Sequence, residues 1–521
     1  MTKQPDVIIV GGGTAGSIMA RRLIDAGVTV HLLEAGRADT NPAIHDLSRL
    51  GELWLGPDDW GYFTTPQKHA FDRRLHWPRG RVLGGSHSLN ASIYVRGAAH
   101  DFDQWEAQGN PGWGWNDVLP IYQRIENYGG PSSASRGVGG LLDVTTDYPK
   151  HPIQDAVLRA GQQFGLALNP DYNEATQEGI AQEQLTFRNG ERLSTYRAYL
   201  HPIVGTPGLT ITTGAWVHRV IIENERAVGV EYEQDGQLHQ LRGGEVVLAG
   251  GALDSPRILL HSGIGPARDL EALGIPVVLD TPGVGENLHD HLLVPVIYRT
   301  TIREIGPPPA GVPITQVHWF STTRPGLPVP DTQPLAFSVP MADEWMTDTP
   351  ATGFTLMAAL VSPKSRGTFK LSSADPHAVA LMDPNILSHP DDMLSLVASV
   401  AQVREVGRQS ALVEEWGADE VYPGSTLRAD DVEGYIRRTA ITYHHQVGTC
   451  KMGVDPLAVV APNLRVHGLA GLMVADASIM PAVTTGNTNA PAMIIGEKAA
   501  TFLIDGSRRA HSVDHSAWSR V

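Results

Sequence analysis

Three glycines near the start of the chain constrain its fold more than anything else in it. Asp6 to Val10 is a short β-branched run of the kind a buried parallel strand uses. Gly11-Gly12-Gly13-Thr14-Ala15-Gly16 follows, and Ser17 to Ala26 then spaces Ile18, Ala20, Leu23 and Ile24 as a helix would. A second apolar run, Val28 to Leu33, closes on Glu34, 23 residues after Gly11. G-x-G-x-x-G between a strand and a helix, with an acid at that distance, is the βαβ dinucleotide fingerprint. Gly11 permits the tight turn, Gly13 lets backbone approach a pyrophosphate, and Gly16 lets helix pack on strand. The helix N-terminus presents N–H donors and positive dipole to phosphate. Glu34 accepts from ribose hydroxyls and repels a 2′-phosphate. The fingerprint alone leaves NAD and FAD both open.

The 521 residues suffice for two to four domain-sized units with a sizeable core. A formal charge of −16 disfavours nucleic acid and anionic lipid as partners. The single cysteine, Cys450, excludes an internal disulfide and a cysteine-cluster metal site. With 21 histidines, zinc through imidazole and carboxylate stays formally open, although no metal-ligand set is read from the sequence. The four-residue apolar run at the N-terminus is too short for a signal peptide, and no stretch approaches ~18 apolar residues, so no membrane span and a cytoplasmic location are expected.

Further along, Trp77 to Ala91 reads WPRGRVLGGSHSLNA and runs on through Tyr94-Val95-Arg96-Gly97. Gly251-Ala252-Leu253-Asp254-Ser255-Pro256, Gly283 to Leu288 with Asp290-His291, His445 to Gly453, Val474 to Ser478 and Gly486 to Pro491 follow in order. This set resembles the glucose–methanol–choline (GMC) flavin oxidoreductases from about residue 5 to 505. The resemblance implies an α/β (α+β) architecture: a Rossmann-like FAD-binding domain and a substrate-binding domain built on an antiparallel sheet backed by helices. Residues 1–150, 212–298 and 446–510 are expected in the first, 151–211 and 299–445 in the second, and 511–521 form a polar tail. Period-2 stretches at Gln316 to Phe320 and Gly353 to Leu360 read as strands. Asp391 to Gly407 reads as a surface helix. The Pro-rich stretches Gly306 to Pro313 and Arg324 to Pro334 read as connecting loops or a pocket-lining lid.

The resemblance also distributes roles. Gly11, Gly13, Thr14, Ala15 and Gly16 would hold the pyrophosphate, and Glu34 and Ala35 the adenosine ribose. Val217 would meet the adenine through its backbone. Gly84, Gly85, Ser86, Asn90 and Ala91 would line the flavin side, with backbone N–H groups of the two glycines reaching phosphate or flavin. Asp476, Ala477, Asn487 and Thr488 would meet ribityl and isoalloxazine, although Asp476 fits a helix cap equally well. Some members tether FAD through a histidine two positions beyond His87, where this chain has Leu89. A dissociable FAD is therefore expected, with His87 in an ordinary hydrogen bond.

Removing hydride from an alcohol carbon requires a base for the hydroxyl proton, and imidazole titrates in the right range. Counting back five from Cys450 in the segment resembling the family's H-x-V-G-T-C gives His445 as that base. Asn487, ten before Glu497, occupies the family's second catalytic position, where it would hold the oxygen as hydride passes to flavin N5. His444 is expected to point away from His445 on an extended chain, with substrate contact as the sharper reading, and Gln446 is a further substrate-side candidate. His289 and His291 read as a structural segment near FAD, and Cys450 as a small buried residue.

The expected partners are an alcohol and O2 or another electron acceptor; the oligomeric state is open. Trp319, Phe320 and Trp345 in the expected cap point to a small aromatic or heteroaromatic alcohol, such as pyridoxine-like, furan or benzyl alcohols. Choline, aliphatic alcohols, sugars and a hydroxynitrile lyase on the same scaffold are the alternatives.

Overall fold

A computed structural model of the chain describes residues 4–342, 346–424 and 426–517. Val7–Val10, fully buried, is the middle strand of a five-stranded parallel sheet. The order across that sheet is Leu209–Thr213, Val30–Glu34, Val7–Val10, Glu245–Leu248, Leu472–Val474. Helix Thr14–Asp25 crosses from the first strand to the second and packs on helix Asn489–Ala517. Its close seat on the strand depends on Gly16, where a Cβ would lie 2.0 Å from the Gly11 carbonyl oxygen. The nucleotide-facing loops all leave this sheet at the carboxyl ends of its strands, where open α/β sheets bind ligands.

A second, antiparallel sheet runs Ala418–Tyr422, Leu292–Thr300, Phe354–Leu360, Leu335–Phe337, Thr315–Phe320, Gly179–Gln182, with Ile441–Thr442 also paired to Leu292–Thr300. Helices Pro152–Phe164 and Pro390–Gly407 cover it. Helix Pro390–Gly407 turns Leu396, Val400 and Val403 inward and leaves Leu394 and Glu405 outward. The strands Thr315–Phe320 and Phe354–Leu360 are buried on both faces, because their side chains enter one core cluster beneath the helices and a second on the opposite side.

Strand pairing moves two of the expected bounds. Strand Leu292–Thr300 lies wholly in the large sheet, so residues 292–298 fall outside the nucleotide-binding unit; the run LLVPVIYRT pairs on both edges and has no free side toward the parallel sheet. Strand Leu209–Thr213 belongs to the parallel sheet, which places residues 209–211 in the nucleotide unit. The helix of residues 489–517 continues through most of the expected polar tail, since no proline or glycine follows Gly506; residues 518–521 lie outside those described, as does Trp345. Among the described residues, no helix is long and apolar enough to cross a membrane.

Candidate active site

One elongated cavity runs between the two sheets. At its nucleotide end, helix Thr14–Asp25 starts at Gly13 without a side-chain cap. Gly13, Thr14 and Ala15 line the cavity, so the first-turn amides, which no helix can satisfy internally, open onto it. Glu34 ends its strand beside them, where Oε2 accepts from Gly12 N and Oε1 from Gly36 N, both at 2.7 Å. Burial raises the Glu34 carboxyl to about 7 against the pull of those two amides. Each carboxylate oxygen has a second lone pair for a ribose hydroxyl.

The second glycine loop meets the first. A Cβ on Gly85 would lie 2.8 Å from Gly13 Cα, so Gly85 tolerates no side chain without separating the loops. Their N–H groups do not face a ligand as expected: Gly84 N donates to Gly12 O and Gly85 N to Val82 O, each at 2.8 Å. The first bond joins the two loops, and the second closes a turn within the second loop. Gly84 and Gly16 serve packing and turn geometry and do not line the cavity. Gly11, Ala35, Gly85, Ser86, Asn90, Ala91, Val217, Asp476, Ala477, Asn487 and Thr488 do, together with His444, His445 and Gln446.

His87 is buried away from the cavity, with Nε2 2.9 Å from Thr186 Oγ1 and Nδ1 accepting from Thr195 N. Asp476 caps the short turn Ala477–Ile479 through Ser478 N, and its other oxygen accepts from Gly251 N and Ser255 Oγ. The cap and the cavity wall are thus the same side chain.

At the other end, the segment after Ile441–Thr442 carries the candidate catalytic residues. His444 does not continue an extended chain: its φ is +68°, with its N–H held by Thr442 Oγ1 at 2.7 Å. The turn brings His444 to the cavity beside His445, with its ring 5.2 Å from Trp54 and its Nδ1 unpartnered. Arg79 donates to the His444 carbonyl. Gln446 Nε2 binds Asp290 and Thr442, leaving Oε1 buried without a partner.

His445 is held from four sides, once at its backbone and three times at its ring. Its backbone N–H donates to Asp290 Oδ1 at 2.8 Å, and Tyr443 stacks on its ring at 4.6 Å. Its Nδ1 lies 3.0 Å from His291 Nδ1, and its Nε2 3.3 Å from Asn487 Nδ2. Gln333 Nε2 donates to Asn487 Oδ1 at 3.0 Å, which turns the Asn487 amide nitrogen toward His445. The network therefore puts the His445 proton on Nδ1, donating to His291, and leaves a lone pair on Nε2. Burial, then the neighbouring His291, His444 and Arg79, hold His445 well below the ordinary histidine value. Asp290 moves the other way, to about 6, chiefly by burial.

Asp290, His291 and Gln333 escaped the reading from sequence as contacts of the candidate pair His445 and Asn487. Asp290-His291 had a signal, as a matched segment, and Gln333 had none beyond its place at the end of the second Pro-rich stretch. Trp319 and Phe320 do not line the cavity. Trp319 Nε1 donates to Gln402 on the covering helix, and Phe320 packs near Tyr172 and Gly486. Two-sided burial of their strand turned these rings into core. Among the described residues, the cavity's tryptophan, phenylalanine and tyrosine rings are Trp54, Trp60, Trp216, Phe337 and Tyr443.

These residues fit a flavin dinucleotide. An uncapped helix N-terminus, a carboxylate with free lone pairs, a cradle that a Cβ would fill, and the orphaned Gln446 Oε1 and Arg257 Nη1 all line one continuous space. The described residues match known proteins accordingly. The family model described as GMC oxidoreductase matches residues 5–293 in its N-terminal part and 363–496 in its C-terminal part. An alcohol dehydrogenase [acceptor] of Pseudomonas putida is 37% identical, covering 96% of this chain and 95% of that protein. An oxygen-dependent choline dehydrogenase of Sinorhizobium medicae is 36% identical over 96% of each. The crystal structure of pyridoxine 4-oxidase from Mesorbium loti superposes with a TM-score of 0.89 at 32% identity, covering 96% of this chain and 99% of that one.

Proposed function

We propose, from the premise that this chain belongs to the GMC oxidoreductase family and is an FAD-dependent alcohol oxidoreductase, that it oxidises a small neutral aromatic or heteroaromatic alcohol, with His445 as base and Asn487 as the oxygen's hydrogen-bond donor. In this reading the parallel-sheet unit holds the dinucleotide and the antiparallel sheet shapes the alcohol pocket. The substrate hydroxyl lies against both His445 Nε2 and Asn487 Nδ2. His445 Nε2 takes the hydroxyl proton as the carbon–hydrogen bond breaks toward the cofactor and the C=O bond forms. FAD, when bound, supplies the acceptor for the hydride. His291 receives the Nδ1–H of the resulting imidazolium, and Asp290 fixes its backbone. Asn487 Nδ2 stabilises charge on the substrate oxygen, and Gln333 keeps that amide from flipping.

The observation that carries the substrate class is the wall facing this pair. Leu50, Trp54, Ile93, Leu293, Leu335, Phe337, Met341 and Met357 line it. Among the described residues, the carboxylates that line the cavity, Glu34, Asp254 and Asp476, are all held by the nucleotide unit: Asp254 by Arg257 and Tyr62, and the others by the amides named above. Arg79, a cation, lines the reactive end instead. An apolar wall with a cation beside it favours a neutral ring over a quaternary ammonium. The choline dehydrogenase relatives support a second reading, in which Trp54 and Tyr443 receive an ammonium group on their faces. Comparing kcat/KM for benzyl alcohol, pyridoxine and choline on the holoenzyme separates the two. The first reading expects choline to be the poorest by at least about tenfold, and a preference for choline overturns it.

A further inference from the structure

Away from the alcohol site, on the outer side of Trp216, three side chains converge with no part in the reaction. His218 lies on strand Trp216–Glu223, Glu233 on the paired strand Arg226–Gln234, and His377 on the turn joining Thr368–Lys370 to Leu381–Asp383. The two strands slip register between Val217 and Arg219, so His218 is the residue of a β-bulge. A bulge re-aims a side chain, and this one sends His218 toward Glu233. His218 Nε2 and His377 Nε2 stand 3.5 Å and 3.0 Å from the same oxygen, Glu233 Oε2, and the three ligand atoms all lie within 4.8 Å of one another. The edges of a tetrahedron with zinc-to-nitrogen bonds of ~2.0–2.1 Å are about 3.3 Å, so two of the three separations already match.

From this cluster we infer that His218, Glu233 and His377 form a divalent transition-metal site of the His2Glu type, with a fourth position open to solvent. The ligand set suits Zn2+: two neutral imidazoles and one carboxylate, with no thiolate. His218 is buried and its Nε2 makes no hydrogen bond, a cost that a metal bond would remove. The nearby cation, Arg257, is already paired with Asp254 at 2.8 Å. His377 is about half exposed, so an ion has a path in, and its turn is set by Asp375 Oδ1 accepting from His377 N. Trp216 packs edge-on against both rings, at 5.6 Å from His218 and 4.7 Å from His377, and forms part of the dinucleotide cavity. A metal here would therefore clamp the turn of residues 372–379 against one wall of that cavity.

The test uses the FAD-loaded enzyme, stripped of metal by chelator and titrated with Zn2+ alone, with bound zinc measured by atomic emission after gel filtration. One zinc per chain is expected. His377→Gln, on an exposed turn and outside the fold's core, and Glu233→Gln should each weaken binding by at least about tenfold, since even an outer-shell partner counts for ~10–100-fold. His511 and His515, four apart in the sequence, are the control: the double change to Gln should keep the zinc. Zn2+ should raise the Tm of the unmodified protein and leave that of His377→Gln unmoved. Substoichiometric zinc in the unmodified protein, or equal zinc affinity in His377→Gln, overturns the assignment.

Discussion

The His291–His445 contact makes the sharpest prediction about how the base works. His291→Leu removes the acceptor of His445 Nδ1–H and leaves that donor buried without a partner. An unsatisfied buried donor costs about 1–3 kcal/mol, and the demand grows when the ring becomes imidazolium in the reacting state. At ~1.36 kcal/mol per tenfold, kcat should fall by about 5- to 160-fold. His291 does not line the cavity, so KM and bound FAD should stay near those of the unmodified enzyme. His291→Asn separates hydrogen bonding from packing: its Oδ1 stands as far from Cβ as the histidine Nδ1 does and can accept the same proton. It should keep kcat within about threefold, on the same hydrogen-bond argument. The assay is steady-state turnover at saturating alcohol, with FAD content read from the flavin absorbance of each variant. A leucine variant within twofold of the unmodified kcat, or leucine and asparagine variants equally impaired, refutes the tautomer assignment.

Three further outcomes follow from the same geometry. His445 must be neutral to act, and its environment holds it well below the ordinary histidine value, so the acid limb of kcat/KM should lie below pH 6.5; a limb above that value contradicts the burial argument. Glu34→Ala leaves Gly12 N and Gly36 N without their acceptor, and FAD should dissociate with a Kd raised at least about tenfold, measured by the fluorescence of released flavin; an unchanged Kd removes Glu34 from the site. Cys450 is fully buried, which pushes its thiol up, so a thiol reagent should leave the native enzyme unlabelled and find one thiol in denaturant; rapid native labelling contradicts that.

What the sequence disclosed divides by range. The first glycine loop was legible because its spacing is local: turn, helix start and terminal acid all fall within 34 residues of the N-terminus. His445 was legible through its fixed distance from Cys450, as a resemblance. Its surroundings were not, because His291 meets it from 154 positions away and Gln333 reaches Asn487 across the same span. No local pattern encodes such pairs. The second glycine loop shows another limit. Its composition suggested donors for a ligand, yet the N–H of Gly84 is used to join the two loops and that of Gly85 to close a turn onto Val82. Trp319 and Phe320 misled for a related reason: period 2 identifies a strand, but not whether both faces will be covered. His444 misled because one left-handed φ cancels the alternation of an extended chain.

The central claim is that His445 removes the hydroxyl proton as hydride leaves the alcohol. Its most direct measurement is a single anaerobic turnover: FAD-loaded enzyme mixed with excess aromatic alcohol while the visible flavin band is followed. The unmodified enzyme should bleach in one exponential phase, and His445→Ala, still holding FAD, should bleach ~10²–10⁴-fold more slowly. Bleaching by the alanine variant at the unmodified rate, or no bleaching of the unmodified enzyme by any alcohol of an aromatic, aliphatic and choline panel, contradicts the account.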